Sequence, residues 1–190
     1  MAPQRILIVY GTHHGQTAKI ARRMSDWLTA AGNTVTLVDI RHVPHHLDLR
    51  QFDRVIVGGS VEFGHHQHRL RRFVRRHHDA LSTIPSAFFS VSGAAGGRTE
   101  AERAPARGYL GDFLRETAWH PGLSATIGGA MAYSKYNPLL RWITRRASAK
   151  AGGPADTTRD HEATDWGDVQ RFAETFATMP ADPAGESMPA

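Results

Sequence analysis

The sequence predicts an α/β domain, an open parallel sheet with helices on both faces, and three observations predict it. Short apolar runs alternate with helical patterns along the chain. Glycines cluster around the ends of three of those runs, at 11 and 15, at 58, 59 and 64, and at 93, 96 and 97. The first run, Ile6 to Tyr10, passes through Gly11-Thr-His-His-Gly-Gln-Thr17 directly into a helical pattern. In an open parallel sheet the loops beyond the carboxyl ends of the strands converge on one crevice. Glycine suits such loops because the backbone must approach a ligand closely or adopt unusual φ values.

The elements follow in order. Arg5–Tyr10 is the first strand and Gln16–Ala31 the first helix, with Ile20, Met24, Trp27 and Leu28 on one side and Gly32 as its C-cap. Thr34–Val38 is a short, half-exposed strand, and Phe52–Gly58 is a buried one ending in Gly58-Gly59-Ser60. Leu70, Phe73, Val74 and Leu81 form the inner stripe of one helix, with His65, His66 and His68 at its beginning. Ser86–Val91 is the fourth strand, followed by the turn Ser92 to Gly97. Glu102–Thr117 is a helix, and Leu123–Met131 holds a fifth strand broken by Gly128-Gly129. Pro138–Ala149 and Trp166–Thr178 read as helices, the second capped by Thr164-Asp165. One domain is expected over residues 1–178, with a flexible tail at 179–190 rich in Pro, Ala and Gly.

Composition excludes several chemistries. The 190 residues contain no cysteine, which rules out disulfides, thiolate catalysis and Cys-ligated clusters. No apolar run approaches the roughly 20 residues that span a bilayer, and Met1-Ala-Pro-Gln-Arg leads straight into the first strand, so a cytoplasmic location is expected. The net charge of +5 favours anionic partners; nearly all of the basic residues are arginine, clustered at 69–76 and 141–146. Neither an aromatic-interleaved RNA motif nor a helix-turn-helix accompanies them, so no nucleic-acid partner is expected. His65 and His68 stand at helical spacing without a carboxylate to complete a set, and no metal is expected.

The loop after the first strand is the most specific signal. A strand followed by a glycine- and hydroxyl-bearing turn into a helix aims backbone N–H groups at an anion. The turn has no lysine, which excludes the Gly-Lys-Ser/Thr nucleotide loop, and it does not match Gly-x-Gly-x-x-Gly. A cradle for one phosphomonoester remains, such as that of flavin mononucleotide (FMN). A planar ring across the second and third glycine clusters, with its phosphate in the first, accounts for all three.

Thr12-His-His-Gly-Gln-Thr17 resembles the FMN phosphate loop of the flavodoxin family, Thr-x-Thr/Ser-Gly-x-Thr. The stretches Gly59-Ser-Val-Glu-Phe-Gly-His-His66, Phe73-Val-Arg-Arg-His77 and Pro85-Ser-Ala-Phe-Phe-Ser-Val91 extend the likeness. So do Gly128-Gly-Ala-Met-Ala-Tyr-Ser-Lys-Tyr-Asn137, Asp156-Thr-Thr-Arg-Asp160 and Thr164-Asp-Trp-Gly-Asp-Val169. Together they are similar to the branch of that family formed by the menaquinone- or quinone-dependent protoporphyrinogen IX dehydrogenases. The resemblance runs from about residue 5 to residue 178. It implies a flavodoxin-like, doubly wound, five-stranded parallel sheet of order 2-1-3-4-5 and non-covalent FMN. It further implies oxidation of protoporphyrinogen IX to protoporphyrin IX in haem synthesis, electrons passing to menaquinone or another quinone, and peripheral contact with the inner membrane face. Residues 133–162 match the family's extra segment. Gly11 and His14 depart from the family pattern, and Ser92 to Arg98 is richer in glycine than expected.

The resulting site expectations are specific. Thr12, His13, His14, Gly15, Gln16 and Thr17 hold the phosphate, mainly through backbone and hydroxyl donors. Ser60, Val61, Glu62, Phe63 and Gly64 line one side of the ring, with Phe63 stacking, and Ser92, Gly93, Ala94 and Ala95 border its other edge. Arg98, Arg103, Arg107 and Arg141 are the candidates for the substrate's propionates, since a guanidinium matches a carboxylate in two-point geometry. His65 or His66 is the candidate base for a pyrrole proton. The stretch 138–146 reads as a basic amphipathic helix that fits either an acidic membrane interface or the sheet. An FMN electron carrier or quinone reductase with another substrate, and a non-catalytic binding protein, are the alternatives; a homo-oligomer is compatible with the sequence.

Overall fold

A computed structural model describes residues 2–131 and 161–180. Five strands run parallel: β1 (Arg5–Gly11), β2 (Thr34–Asp39), β3 (Arg54–Glu62), β5 (Ser86–Ser92) and β6 (Leu123–Gly128). Their spatial order is β2-β1-β3-β5-β6, which is the expected doubly wound order once the antiparallel β4 (His65–His66), hydrogen-bonded to β3, is set aside. Strand β1 consists almost wholly of buried residues because both faces of the sheet are covered. Helices α1 (Gln16–Ala30) and α5 (Trp166–Thr178) cover one face through Ile20, Met24, Leu28, Phe172 and Phe176. Helices α2 (His68–Arg76), α3 (His78–Thr83) and α4 (Glu100–Thr117) cover the other through Leu70, Phe73, Leu81 and Phe113.

At the amino-terminal end of the central strand, remote from these loops, buried Arg54 ties β3 to the end of α5. Its guanidinium donates to Gln4 Oε1 (2.6 Å), to the Phe176 carbonyl (2.9 Å) and to the Met179 carbonyl. A cation at the carbonyl-rich end of a helix is favourably placed.

The structure corrects four boundaries. Strand β3 does not stop at Gly58 but continues to Glu62, so Gly58 and Gly59 are strand residues rather than loop residues. A Cβ at Gly58 would lie 2.0 Å from the Phe89 ring, and one at Gly59 would lie 2.5 Å from Leu70 Cδ2. These glycines make room for neighbours, not for a turn. His65 and His66 form β4 instead of opening a helix. The single helix expected through Leu70 and Leu81 is two, separated at His77 (φ −107°, ψ 19°). Helix α4 begins at Glu100, because Thr99 and Glu102 form a reciprocal capping box.

Beyond β6 the chain makes a short ribbon, β7 (Ala130–Met131) with antiparallel β8 (His161–Glu162). The helix expected at 138–149, Arg141, nearly all of the 133–162 segment and most of the 179–190 tail lie outside the described residues.

Candidate functional site

The carboxyl ends of β1, β3, β5 and β6 bring together the loops singled out above. Between β1 and α1 the chain turns at Gly15, whose φ of +95° is costly for any residue with a side chain. Thr12 Oγ1 accepts from the Gly15 N–H at 2.9 Å and holds the turn closed. Helix α1 begins with no side-chain cap and no acidic residue in its first turn, so the positive end of its dipole faces the loop. Thr17 is fully buried, and its hydroxyl has no hydrogen-bond partner among the described residues. Such a group is expensive unless a ligand completes it. An uncapped helix start beside an orphaned hydroxyl fits a phosphate.

Strand β3 supplies the facing wall. Glu62 clasps both loop histidines, with Oε2 3.0 Å from His13 Nε2 and Oε1 3.2 Å from His14 Nε2. His13 Nδ1 lies 3.1 Å from Ser60 Oγ and 3.3 Å from Gln67 Nε2. Sequence reasoning missed this clasp, because its partners are nearly fifty positions apart and no local pattern links them.

The β3–β4 connection is a two-residue hairpin in which Glu62 pairs with His65. Both central residues have positive φ, Phe63 at 50° and Gly64 at 83°, as a type I′ turn requires. Asparagine or glycine is the usual first residue of such a turn. Phe63 is instead held there under strain with 79% of its surface exposed, so a large aromatic ring projects from the tip of the site.

Strand β5 ends in Ser92, whose hydroxyl accepts from the Ala95 N–H (3.2 Å) and shapes the turn Gly93 to Gly96. The chain returning from β8 packs on this turn and reaches the phosphate loop: Thr164 Oγ1 donates to the Gly128 carbonyl (2.6 Å) and accepts from Gln16 Nε2 (2.8 Å). A Cβ at Gly128 would sit 2.1 Å from the Ala163 carbonyl oxygen, a backbone atom that cannot swing away. Gly128→Ala is therefore expected to cost about 2 kcal/mol by overpacking and to weaken flavin binding, since it separates the returning chain from the β5 turn. A chemical denaturation curve and a flavin titration on the same variant check both effects.

The remaining expectations divide. His66 is enclosed and not placed as a base: it is 5% exposed, lies between the rings of Phe88 (5.4 Å) and Phe113 (4.8 Å), and shares a 3.0 Å hydrogen bond with Ser90 Oγ. Burial, then Arg71, lowers its pKa to about 4. His65 is exposed beside α4, where it adds to the dominant effect of Arg71 in lowering the Glu116 carboxyl. Arg103 and Arg107 both pair with Glu100 (3.6 and 2.6 Å) at the exposed start of α4, and the Arg98 backbone N–H donates to Glu102. Among the described residues no group of three histidine or acidic side chains is arranged to hold a metal.

Strand order defines a doubly wound α/β protein, with the loop after β1 at its switch point. A family model described as a flavodoxin domain matches residues 7–158. The chain is 31% identical over 180 residues to the protoporphyrinogen IX dehydrogenase [quinone] of Escherichia coli (strain K12), covering 94% of this chain and 98% of that protein. It is 32% identical to the protein of the same name from Leishmania major, covering 93% of this chain and 76% of that one. The solved structure of oxidised flavodoxin 1 from Bacillus cereus is also similar, at 16% identity and a TM-score of 0.49, over 78% of this chain and 97% of that one. The chain belongs to the flavodoxin-domain family. It is an oxidoreductase of the flavodoxin type.

Proposed function

We propose that the protein binds FMN and oxidises protoporphyrinogen IX to protoporphyrin IX, passing the electrons to menaquinone or another quinone. The observation that carries the cofactor is the buried, unpartnered Thr17 hydroxyl beneath the uncapped start of α1. The relatives that match along nearly the whole chain support the substrate and acceptor.

When bound, FMN supplies the two-electron chemistry, accepting reducing equivalents and releasing them to a second substrate. The protein's part is placement. The Thr12–Thr17 loop receives the phosphate, while the Glu62 side of β3 and the turn from Ser92 to Ala95 flank the ring. Phe63 offers an aromatic face at the open side, where a flavin or a flat tetrapyrrole would stack. Arg98, Arg103 and Arg107 stand at the start of α4, and Glu100 holds two of them until a propionate competes for them. His65 is the remaining histidine candidate for a pyrrole proton.

No helix among the described residues is long and apolar enough to cross a membrane. In this reading a lipid-soluble quinone is reached by peripheral contact with the membrane. Phe63→Asn gives a direct check on the hairpin: the turn gains its preferred residue, about 1 kcal/mol of stability, while flavin or porphyrinogen affinity falls. Thermal melting and ligand titration should thus move in opposite directions.

The decisive experiment is anaerobic turnover of protoporphyrinogen IX by FMN-loaded protein, followed by porphyrin fluorescence with and without a menaquinone analogue. Quinone-dependent turnover well above spontaneous oxidation is expected. Bound FMN without turnover would leave a flavodoxin-type carrier or quinone reductase with another substrate.

A further inference from the structure

Helix α2 carries five arginines and no acidic residue among its nine positions. Arg71 and Arg75 stand four apart, as do Arg72 and Arg76, and like charges at that spacing destabilise a helix. An anion bound along the helix would offset that cost. Leu70, Phe73 and Val74 face the core, which turns the charged residues outward on two flanks. On one flank His68, Arg71, Arg72 and Arg75, at i, i+3, i+4 and i+7, line a solvent-open cavity of about 270 Å³. It has room for several waters or for a phosphate group. No residue of the β1–α1 loop lines it. Arg69 and Arg76 stand on the other flank.

Two of the guanidinium groups on the cavity are already fixed by the end of α4. Arg71 Nη1 donates to Glu116 Oε2 at 2.7 Å. Arg75 donates through Nε (3.2 Å) and Nη2 (2.6 Å) to the Glu116 carbonyl. The hydrogen bond from Arg71 is the main reason that the Glu116 carboxyl lies below its ordinary range. Glu116 thus answers one of three guanidinium charges. Arg72 is exposed, and among the described residues no acidic side chain pairs with it.

Arg71 is also left with a stranded donor. Its Nε–H is buried and has no hydrogen-bond partner among the described residues. Glu116 takes Nη1, so the edge left over is that of Nε–H and Nη2–H, a parallel fork that suits two oxygens of one anion. A buried donor without an acceptor costs free energy, and an incoming oxygen removes that cost.

We propose that His68, Arg71, Arg72 and Arg75 form an anion site for a phosphate group, presented by a soluble ion or by an acidic lipid headgroup. The Nε–Nη2 edge of Arg71 takes two of its oxygens, and the exposed Arg72 side chain turns in to follow it. Two guanidinium charges remain once Glu116 has answered one, which matches the roughly −1.5 to −2 charges of a phosphomonoester at pH 7. The site does not depend on the FMN reading.

The test is a titration of the full chain with inorganic phosphate, read by the arginine Nε–H resonances in a nitrogen–proton correlation spectrum. It is run in ~0.1 M sodium chloride, where exposed charges more than about 10 Å away are largely screened. The Arg71 Nε–H signal should move downfield and saturate. Arg72→Gln should weaken that binding about tenfold through loss of one charge-assisted contact. Arg69→Gln removes the same charge from the other flank and should change it by less than about twofold.

Sedimentation with phosphatidylcholine vesicles, with and without phosphatidic acid, separates the two sources. Co-sedimentation that needs phosphatidic acid, and falls in Arg72→Gln but not in Arg69→Gln, assigns the headgroup. Saturation by inorganic phosphate without such co-sedimentation assigns the soluble ion. If Arg71 Nε–H stays still in phosphate and vesicle binding ignores Arg72, the site is overturned, even where the Gly15 amide moves through phosphate in the β1–α1 loop. Equal losses in Arg72→Gln and Arg69→Gln would also overturn it and reduce α2 to a surface of general positive charge.

Discussion

Thr17→Val is expected to weaken FMN binding by about ten- to a hundredfold while leaving the flavin-free chain as stable as before, or more so. The two effects have one origin. A hydroxyl donating to a charged acceptor contributes about 1.5–3 kcal/mol, and here the acceptor would be a phosphate oxygen. Without a ligand the same hydroxyl is buried with no partner, so exchanging it for a methyl group of similar volume removes an uncompensated polar atom. Flavin titration and urea unfolding of the flavin-free variant measure the two sides separately. An unchanged FMN dissociation constant would remove Thr17 from the cradle. A less stable flavin-free variant would show that the hydroxyl serves the fold instead.

The second large effect is loss of stability in acid through His66. Its pKa is lowered to about 4, by burial first and by Arg71 second, whereas the unfolded chain takes up the proton near 6.5. The native state therefore holds this imidazole neutral across the window between those values. Its contribution is complete above pH 6.5 and is lost as pH falls toward 4, with a total of about 3 kcal/mol. Urea denaturation at pH 7.5, 5.5 and 4.5 should show that loss. Because His66 shares its hydrogen bond with Ser90 Oγ, the comparison is the pair His66→Leu/Ser90→Ala, which leaves no polar atom stranded between Phe88 and Phe113. The paired variant should lose distinctly less stability over the same range. An equal acid slope in both proteins would assign the loss to carboxylates instead.

The elements that were legible in the sequence are those whose pattern is local. Apolar Ile6 to Tyr10 and the stripe of Ile20, Met24 and Leu28 mark β1 and α1 to within a residue, and Trp166–Thr178 is read without error. The turn between β1 and α1 is legible for the same reason, since glycine, hydroxyls and helix start are contiguous. What escaped depends on partners distant in sequence. Gly58 looks like a turn residue until the Phe89 ring is seen lying where its Cβ would be. His66 looks like an available base because nothing in its own neighbourhood announces that Phe113 and Ser90 enclose it. The type I′ hairpin was hidden because phenylalanine occupies a position that asparagine or glycine normally advertises. The Glu62 clasp joins two loops that touch only because β1 and β3 are neighbours in the sheet.

The ribbon of β7 and β8 has a consequence for how such a chain can be remodelled. Met131 and His161 are cross-strand partners, so residues 132–160 depart and rejoin at a single rung. Insertions between paired strand ends add only slowly growing closure entropy, and the sheet beneath them need not change. The rung thus works as a socket: a tight turn fitted at Met131 and His161 would yield a minimal scaffold, and a foreign cassette could be exchanged there as a unit. Ala163 and Thr164, immediately past the socket, would still bolt either version to Gly128 and to the start of α1.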